Sequence, residues 1–327
     1  MAQRPISERS ILVGDLIVIN GYKVNRAALI QRFAQGGYQA RESLHFLLFT
    51  RSEEPPTILV HTFAPADLHA DIKHYLMYEL KPLGLLTRPE RFGQILSGII
   101  GSFTPEDARY AWQNYSANTL RRFLLYLATA RSDTPIDYYA TTGVFANLYQ
   151  RVCELCRGES FLDAGCESGY LPLIIAQRIP FMHDVVGLDL AADMLGYARE
   201  LATEWHLNTV RFLQMNLLDT RFARLGQFDT VVALHVIEHF TEAEMYDVLK
   251  NLLRVTRQRL LLAVPYEEEP EAIYEHRQTF TRDKLLAVGA WCIAQMEGQG
   301  GQGGQGRLWC EECEGGLLLI ERQQGNE

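Results

Sequence analysis

The sequence predicts an α/β chain, a Rossmann-like sheet in its C-terminal part preceded by a separate N-terminal α+β domain. Three observations predict it. The stretch Leu162-Asp163-Ala164-Gly165-Cys166-Glu167-Ser168-Gly169-Tyr170 runs from an apolar strand through a glycine turn into a helix, the geometry that grips a nucleoside-bearing ligand. A second apolar strand, Val185-Val186-Gly187-Leu188, ends on the carboxylate of Asp189. Three more short apolar runs follow, Val210 to Asn216, Phe228 to Leu234 and Arg259 to Pro265, and unbroken runs of this kind suit strands covered on both faces.

Between these strands the helix starting at Thr241 is the clearest. Glu244 stands three residues on as a capping box, ahead of a face of Tyr246, Leu249, Leu252 and Leu253. In the N-terminal part, Ile11 to Ile19 reads as a strand closed by Asn20-Gly21, and Val24 to Phe33 as a helix. Ser43 to Thr50 and Thr57 to Phe63 read as a hairpin across Glu53-Glu54-Pro55-Pro56. Thr104-Pro105-Glu106-Asp107 has a capping hydroxyl, a proline at the first position and acids in the first turn, so a helix should begin there. The join falls near Ser132-Asp133-Thr134-Pro135, giving domains 1–135 and 136–327. The first is either a cap or dimerisation module, through which the chain would form a homo-oligomer, or a substrate-selecting lid.

At 327 residues and 47% hydrophobic, the chain can bury two cores. It holds no apolar run of membrane-spanning length and no signal-peptide pattern at Met1 to Glu8, which predicts a cytoplasmic protein. Six cysteines in a chain of this size do not read as a disulfide framework. Cys153-x-x-Cys156 and Cys310-x-x-Cys313 could supply the four thiolates of a zinc site, although burial of the first pair in a core is the plainer expectation. The net charge of −9 is uneven: residues 1–140 carry +2 and residues 141–327 carry −11. An acidic C-terminal part with only Arg121-Arg122 as a basic hint argues against nucleic acid as the substrate.

The form Asp163-x-Gly165 with Gly169 further on resembles motif I of the class I S-adenosylmethionine-dependent methyltransferases, over roughly Phe161 to Phe280. That resemblance implies a seven-stranded sheet. Its antiparallel sixth and seventh strands would be Ala290 to Met296 and Gly316 to Glu321, around a mobile glycine loop from Gly298 to Gly306. It also implies S-adenosyl-L-methionine as cofactor, held by Asp163, Gly165, Cys166, Glu167 and Gly169, by Asp189 at the ribose hydroxyls with Leu190 beside it, and by Asn216, Leu217 and Leu234. Tyr138, Tyr139, Thr141 and Thr142 lie in a segment that often folds over the cofactor. Two positions depart from the pattern: Glu167 stands where another glycine is usual, and Asn216 where an acid commonly faces the adenine amine. The amide can still accept that bond through its carbonyl oxygen.

After the fourth C-terminal strand comes Leu234-His235-Val236-Ile237-Glu238-His239-Phe240. If the backbone turns helical at once, His235, Glu238 and His239 share one face. The pattern resembles the O-methyltransferases of ubiquinone synthesis and the small-RNA 3′-end 2′-O-methyltransferases. In the latter a Glu-x-x-Glu-His motif and a later histidine bind a divalent metal. Glu238, His239 and His276 match three of those positions, and His235 replaces the first glutamate. Three nitrogens and one carboxylate move the preference from magnesium toward zinc, manganese or iron(II). Three roles remain open for His235, Glu238, His239 and His276: metal ligands, a general base without metal, or helix capping. The run Tyr266-Glu267-Glu268-Glu269-Pro270-Glu271 is either a solvated loop or an acidic rim that would disfavour phosphorylated and carboxylated substrates.

These readings converge on an O-methyltransferase acting on a small polyol, glycan or catechol-like acceptor, including a glycosylated peptide cofactor of the mycofactocin kind, with a divalent metal as one option. An N-methyltransferase, a non-catalytic cofactor-binding regulatory module and an RNA 2′-O-methyltransferase, which would need a basic path across the acidic domain, are the alternatives.

Overall fold

The computed structural model describes residues 9–51, 56–129, 141–299 and 306–322. Contacts divide the chain into two compact units that part between Tyr126 and Val144. The predicted join at Ser132 to Pro135, and Tyr138 and Tyr139, lie outside the described residues.

The first unit holds a five-stranded sheet in the order β1-β2-β5-β4-β3. Its strands are β1 (Ser10–Val13), β2 (Leu16–Asn20), β3 (Gln39–Glu42), β4 (Phe46–Thr50) and β5 (Thr57–His61). Instead of one strand over Ile11 to Ile19, the chain makes a hairpin, because Gly14 turns it with φ +62°. Helix α1 (Arg26–Gln35) starts at Asn25, whose side chain accepts the Ala28 N–H at 3.0 Å. Its buried Leu29 packs on Leu47, Phe49, Ile58 and Val60. The short α2 (Ile72–Tyr75), α3 (Pro89–Gly101) and α4 (Ala108–Thr129) follow. The cap of α4 is Asp107, which accepts the Tyr110 N–H at 2.9 Å, and not Thr104. Thr104 instead opens a turn closed by the Asp107 N–H at 3.0 Å. Fully buried Asp71 binds Arg122 Nε at 2.5 Å and accepts both the N–H and the hydroxyl of Thr142, at 2.7 and 2.6 Å. The hinted basic pair is thereby halved, since Arg122 is spent on a structural ion pair.

Helix α5 (Thr141–Leu155) starts at the end of the first unit and from Val144 on belongs to the second. Then come β6 (Ser160–Ala164), α6 (Tyr170–Arg178), β7 (Asp184–Asp189), α7 (Ala192–Glu204), β8 (Val210–Gln214) and β9 (Phe228–Leu234). After them follow α8 (Glu242–Val255), β10 (Thr256–Val264), α9 (Arg282–Gln299), β11 (Gly306–Glu312) and β12 (Gly316–Arg322). The sheet has seven strands in the order β11-β12-β10-β9-β6-β7-β8, all running the same way except β12, which pairs antiparallel with both β10 and β11. The capping box of α8 is present, with Glu244 accepting the Thr241 N–H at 2.9 Å. One expected strand is corrected. Ala290 to Met296 belongs to α9, where Val288, Cys292 and Met296, four apart, are buried on one face, and the strand paired with β12 is β11. Residues 300–305 of the glycine tract lie outside the described residues.

Alternation along the strands explains the two apolar layers. Leu162, Ala164, Val231, Ala233, Leu260 and Leu262 pack with α8 and α9, whereas Phe161, Val232, Leu261 and Ala263 pack with α5 and α6. The same alternation separates the cysteines. Cys153, Cys156 and Cys313 lie in the second layer and Cys310 in the first, and all six are free thiols. A shared zinc site is therefore corrected to core packing.

Asp229, at the start of β9, ties the amino ends of three strands together. It accepts the Glu159 and Ser160 N–H groups at 2.9 and 3.2 Å, the Ser160 hydroxyl at 2.9 Å, Arg257 Nη1 at 2.8 Å and Gln258 Nε2 at 2.9 Å. These hydrogen bonds hold its carboxyl below the usual range despite its burial. Asp229→Ala should leave several buried donors unmatched and cost about 2–4 kcal/mol, read as a lower urea midpoint with an unchanged slope.

Candidate active site

Strand order reverses between β6 and β9, so the loops leaving their carboxyl ends diverge and open a crevice. Chain geometry at that mouth explains the glycines. Gly165 has φ +88°, and a Cβ there would lie 2.5 Å from Val236 Cγ2. Gly169, φ +71°, starts α6, and its Cβ would meet the Phe212 ring at 2.5 Å. The N–H groups of Gly165 and Cys166 both donate to the Leu188 carbonyl at 2.8 Å, which pins the turn to β7. Glu167 also takes the left-handed conformation, φ +47°, where glycine rests without strain.

Asp189 sits where β7 enters the crevice and orders it. One carboxylate oxygen accepts the Glu167 N–H at 2.7 Å, and the other accepts the Ala191 N–H at 2.8 Å. Each oxygen keeps a lone pair for a further donor, as two ribose hydroxyls would require. Asp163, on β6, is buried, and burial first and the neighbouring Asp189 charge second push its carboxyl up to about 8. Burial likewise raises the Cys166 thiol, which suits packing rather than reactivity. Leu190 leaves 60% of its surface exposed beside Asp189. Exposed Asn216 uses one lone pair of its side-chain oxygen on the Leu218 N–H at 2.9 Å. The Leu217 side chain belongs to the core beneath α8, and Leu234 to the layer beneath α5 and α6, so neither offers the crevice a free apolar surface. Thr142 is engaged by Asp71 within the first unit.

Beyond β9 the backbone does not turn α-helical at once. His235 takes φ +53° with its N–H on the Ala263 carbonyl at 2.9 Å, and a single 3-10 turn, Ile237–His239, follows. Glu238 is fully buried, and neither carboxylate oxygen has a hydrogen-bond partner among the described residues. One atom each from Glu238, His239 and His276 lie within 4.8 Å of one another, a set able to hold a metal ion. His235 stays outside that set. Its Nδ1 stands 3.5 Å from Glu238 Oε1, its ring packs against Phe145 at 5.2 Å, and its buried Nε2 has no partner among the described residues.

The loop bearing His276 is stitched to this turn. The Arg277 N–H donates to the Glu238 carbonyl at 2.8 Å, and Gln278 Nε2 donates to the carbonyls of Ile237 and Phe240 at 3.1 and 3.0 Å. Lys284 Nζ in turn holds Gln278 Oε1 at 2.9 Å. Sequence reading missed Gln278, because a lone glutamine in a polar run carries no spacing signal.

Residues 161–259 match a methyltransferase-domain family. Those residues thus form a methyltransferase domain, in keeping with the resemblance of motif I to the class I S-adenosylmethionine-dependent enzymes. No curated protein matches the chain. Solved structures similar to the methyltransferase include magnesium protoporphyrin IX methyltransferase from Synechocystis PCC 6803 with bound SAH, at 17% identity and TM-score 0.43 over 61% of this chain and 94% of that one. The methyltransferase domain of bacterial CtHen1-C matches at 18% identity and TM-score 0.44 over 55% and 98%. The small RNA methyltransferase HEN1 matches at 14% identity and TM-score 0.48, over 60% of this chain and 27% of that protein.

The raised carboxyl of Asp163 yields a prediction with a definite sign. Its contribution to stability is complete below its ordinary value of 3.8 and is lost as pH rises toward about 8. Asp163→Asn should therefore make the cofactor-free methyltransferase more heat-stable than wild type near pH 8 while weakening S-adenosylmethionine binding. Melting curves across that pH range, with calorimetric titration of the cofactor, would test both halves.

Proposed function

We propose that this methyltransferase methylates a hydroxyl of a small polyol, glycan or catechol-like acceptor with the help of a divalent cation held by Glu238, His239 and His276. The observation that carries the reading is the Glu238 carboxylate, fully buried and without a hydrogen bond. A carboxylate taken out of water and left without a hydrogen bond costs several kcal/mol, so its retention beside the imidazoles of His239 and His276 calls for a cation. The residues fit the group. Two nitrogens and one oxygen suit zinc, manganese or iron(II) better than magnesium, and three protein ligands leave positions open.

When bound, such an ion supplies Lewis acidity that eases deprotonation of a hydroxyl near neutral pH. S-adenosylmethionine would supply the electrophilic methyl on its sulfonium, and Asp189, whose two oxygens each keep a lone pair, would accept from its ribose hydroxyls. The chain's own residues then divide the remaining work. Gln278 and the Arg277 N–H keep the 3-10 turn and the His276 loop in register. His235, whose ring lies between Phe145 and Glu238 and whose Nε2 is free of hydrogen bonds, is placed to take a proton.

Charge supports a neutral acceptor. Residues 141–327 carry −11, and Glu268 and Glu269 are exposed after β10, a surface that repels phosphate-rich chains. The same reading takes residues 1–135 as a cap or oligomerisation domain and 136–327 as the transferase, which the contact break between Tyr126 and Val144 supports. No helix among the described residues is long and apolar enough to cross a membrane.

The test measures S-adenosylhomocysteine release with catechol, glycan and short-RNA acceptors, with manganese and after chelation. Methyl transfer to a diol that falls at least about 100-fold on chelation and in Glu238→Gln is expected, with cofactor affinity unchanged. Transfer that survives chelation but is lost in His235→Ala would move the chemistry to a metal-free base, and preference for RNA would overturn the neutral acceptor.

A further inference from the structure

His276 is the one ligand of the set that comes from a different loop, and that loop is closed on itself. Tyr266 and Phe280 pair as an isolated parallel bridge at its two ends. Inside it, His276 is 7% exposed, with Nδ1 2.8 Å from Glu267 Oε2. The His239 ring meets it edge-on at 5.0 Å and the Tyr274 ring lies 5.8 Å away. Neighbouring Glu268 and Glu269 are exposed, so of the three consecutive glutamates Glu267 is the one joined to a ligand.

We infer that Glu267 is the positioning residue of the cation site: it fixes His276 as the Nδ1–H tautomer and leaves Nε2 as the nitrogen able to bind. This rests on the reading that Glu238, His239 and His276 hold a divalent cation. A neutral imidazole carries one N–H, and the carboxylate, acceptor-only when ionised, must receive it at the contacting nitrogen. The hydrogen bond has three consequences. It selects the tautomer, it locks the ring's rotation, and it raises the basicity of the opposite nitrogen. Without it the imidazole would be divided between two tautomers, and in one of them the ligating nitrogen would be blocked by a proton. The acidic run after β10 therefore contains two kinds of carboxylate: Glu267, directed at His276, and Glu268 and Glu269, which contribute only diffuse charge.

The experiment uses the full chain. Manganese and zinc are titrated calorimetrically into wild type, Glu267→Gln, Glu267→Ala, Glu268→Gln and Glu238→Gln. Each protein's S-adenosylmethionine affinity serves as the check that it is folded, and the 15N shifts of histidine-labelled protein report the His276 tautomer. Glu267→Ala should weaken cation binding about 10- to 100-fold and populate both His276 tautomers. Glu267→Gln, which keeps a neutral acceptor, should lie between Glu267→Ala and wild type. Glu268→Gln should stay within about twofold of wild type, since an exposed charge is screened. Wild-type affinity and a wild-type His276 tautomer in Glu267→Ala would overturn the inference while leaving the cation site standing. A loss in Glu268→Gln equal to that in Glu267→Ala would reduce the effect to general charge and overturn it also. Absence of cation binding in wild type as well as Glu238→Gln would overturn the functional reading and this inference together.

Discussion

A strand buried on both faces cannot be joined to its parallel neighbour by a tight turn, and that constraint governs the catalytic unit. Each of β6, β7, β8, β9 and β10 must be left through a crossover that covers one apolar layer before the chain returns. All the outgoing loops then emerge at one edge of the sheet. Because β7 and β8 lie on one side of β6 and β9 and β10 on the other, these loops diverge about a crevice. Gly165, Asp189, His235 and the Tyr266 loop come together there by topology, although more than a hundred residues separate the first from the last.

Two pairs of carboxylates border the crevice, one on each side of the reversal. Asp163 and Asp189 end β6 and β7, and the pressure between them appears as the raised carboxyl of Asp163. Glu238 and Glu267 follow β9 and β10, Glu238 3.5 Å from His235 Nδ1 without a hydrogen bond and Glu267 hydrogen-bonded to His276. On the proposed function, a sulfonium cofactor supplies positive charge to the first pair and a divalent cation supplies it to the second. The turn between them is held without charge, by Gln278, by the Arg277 N–H and by the left-handed His235, so its geometry does not depend on the ligands it serves.

Local pattern carried well where one element's chemistry decided the outcome. The capping box at Thr241 and Glu244, the glycine turn at Gly165 and the five central strands stand where their residues predict. It carried poorly where competing patterns overlapped. Ala290 to Met296 is apolar enough for a strand, yet the four-residue repeat of Val288, Cys292 and Met296 makes it helix. Thr104 looked like a cap, but the turn it opens passes that role to Asp107.

By itself the sequence determined the α/β class and the central strands through short-range spacing, which the chain carries in one dimension, and its resemblance to known methyltransferases offered the cofactor turn and His235, Glu238, His239 and His276 as a potential set. Tertiary structure alone decided which of four candidate ligands converge, since His235 is turned aside by one left-handed residue that no spacing reveals. It alone put Cys310 on the face of the sheet opposite to Cys153, Cys156 and Cys313, left Glu238 without a hydrogen bond and joined Glu267 to His276. Those outcomes turn on burial and on distances between loops, which arise only when the crossovers close the sheet.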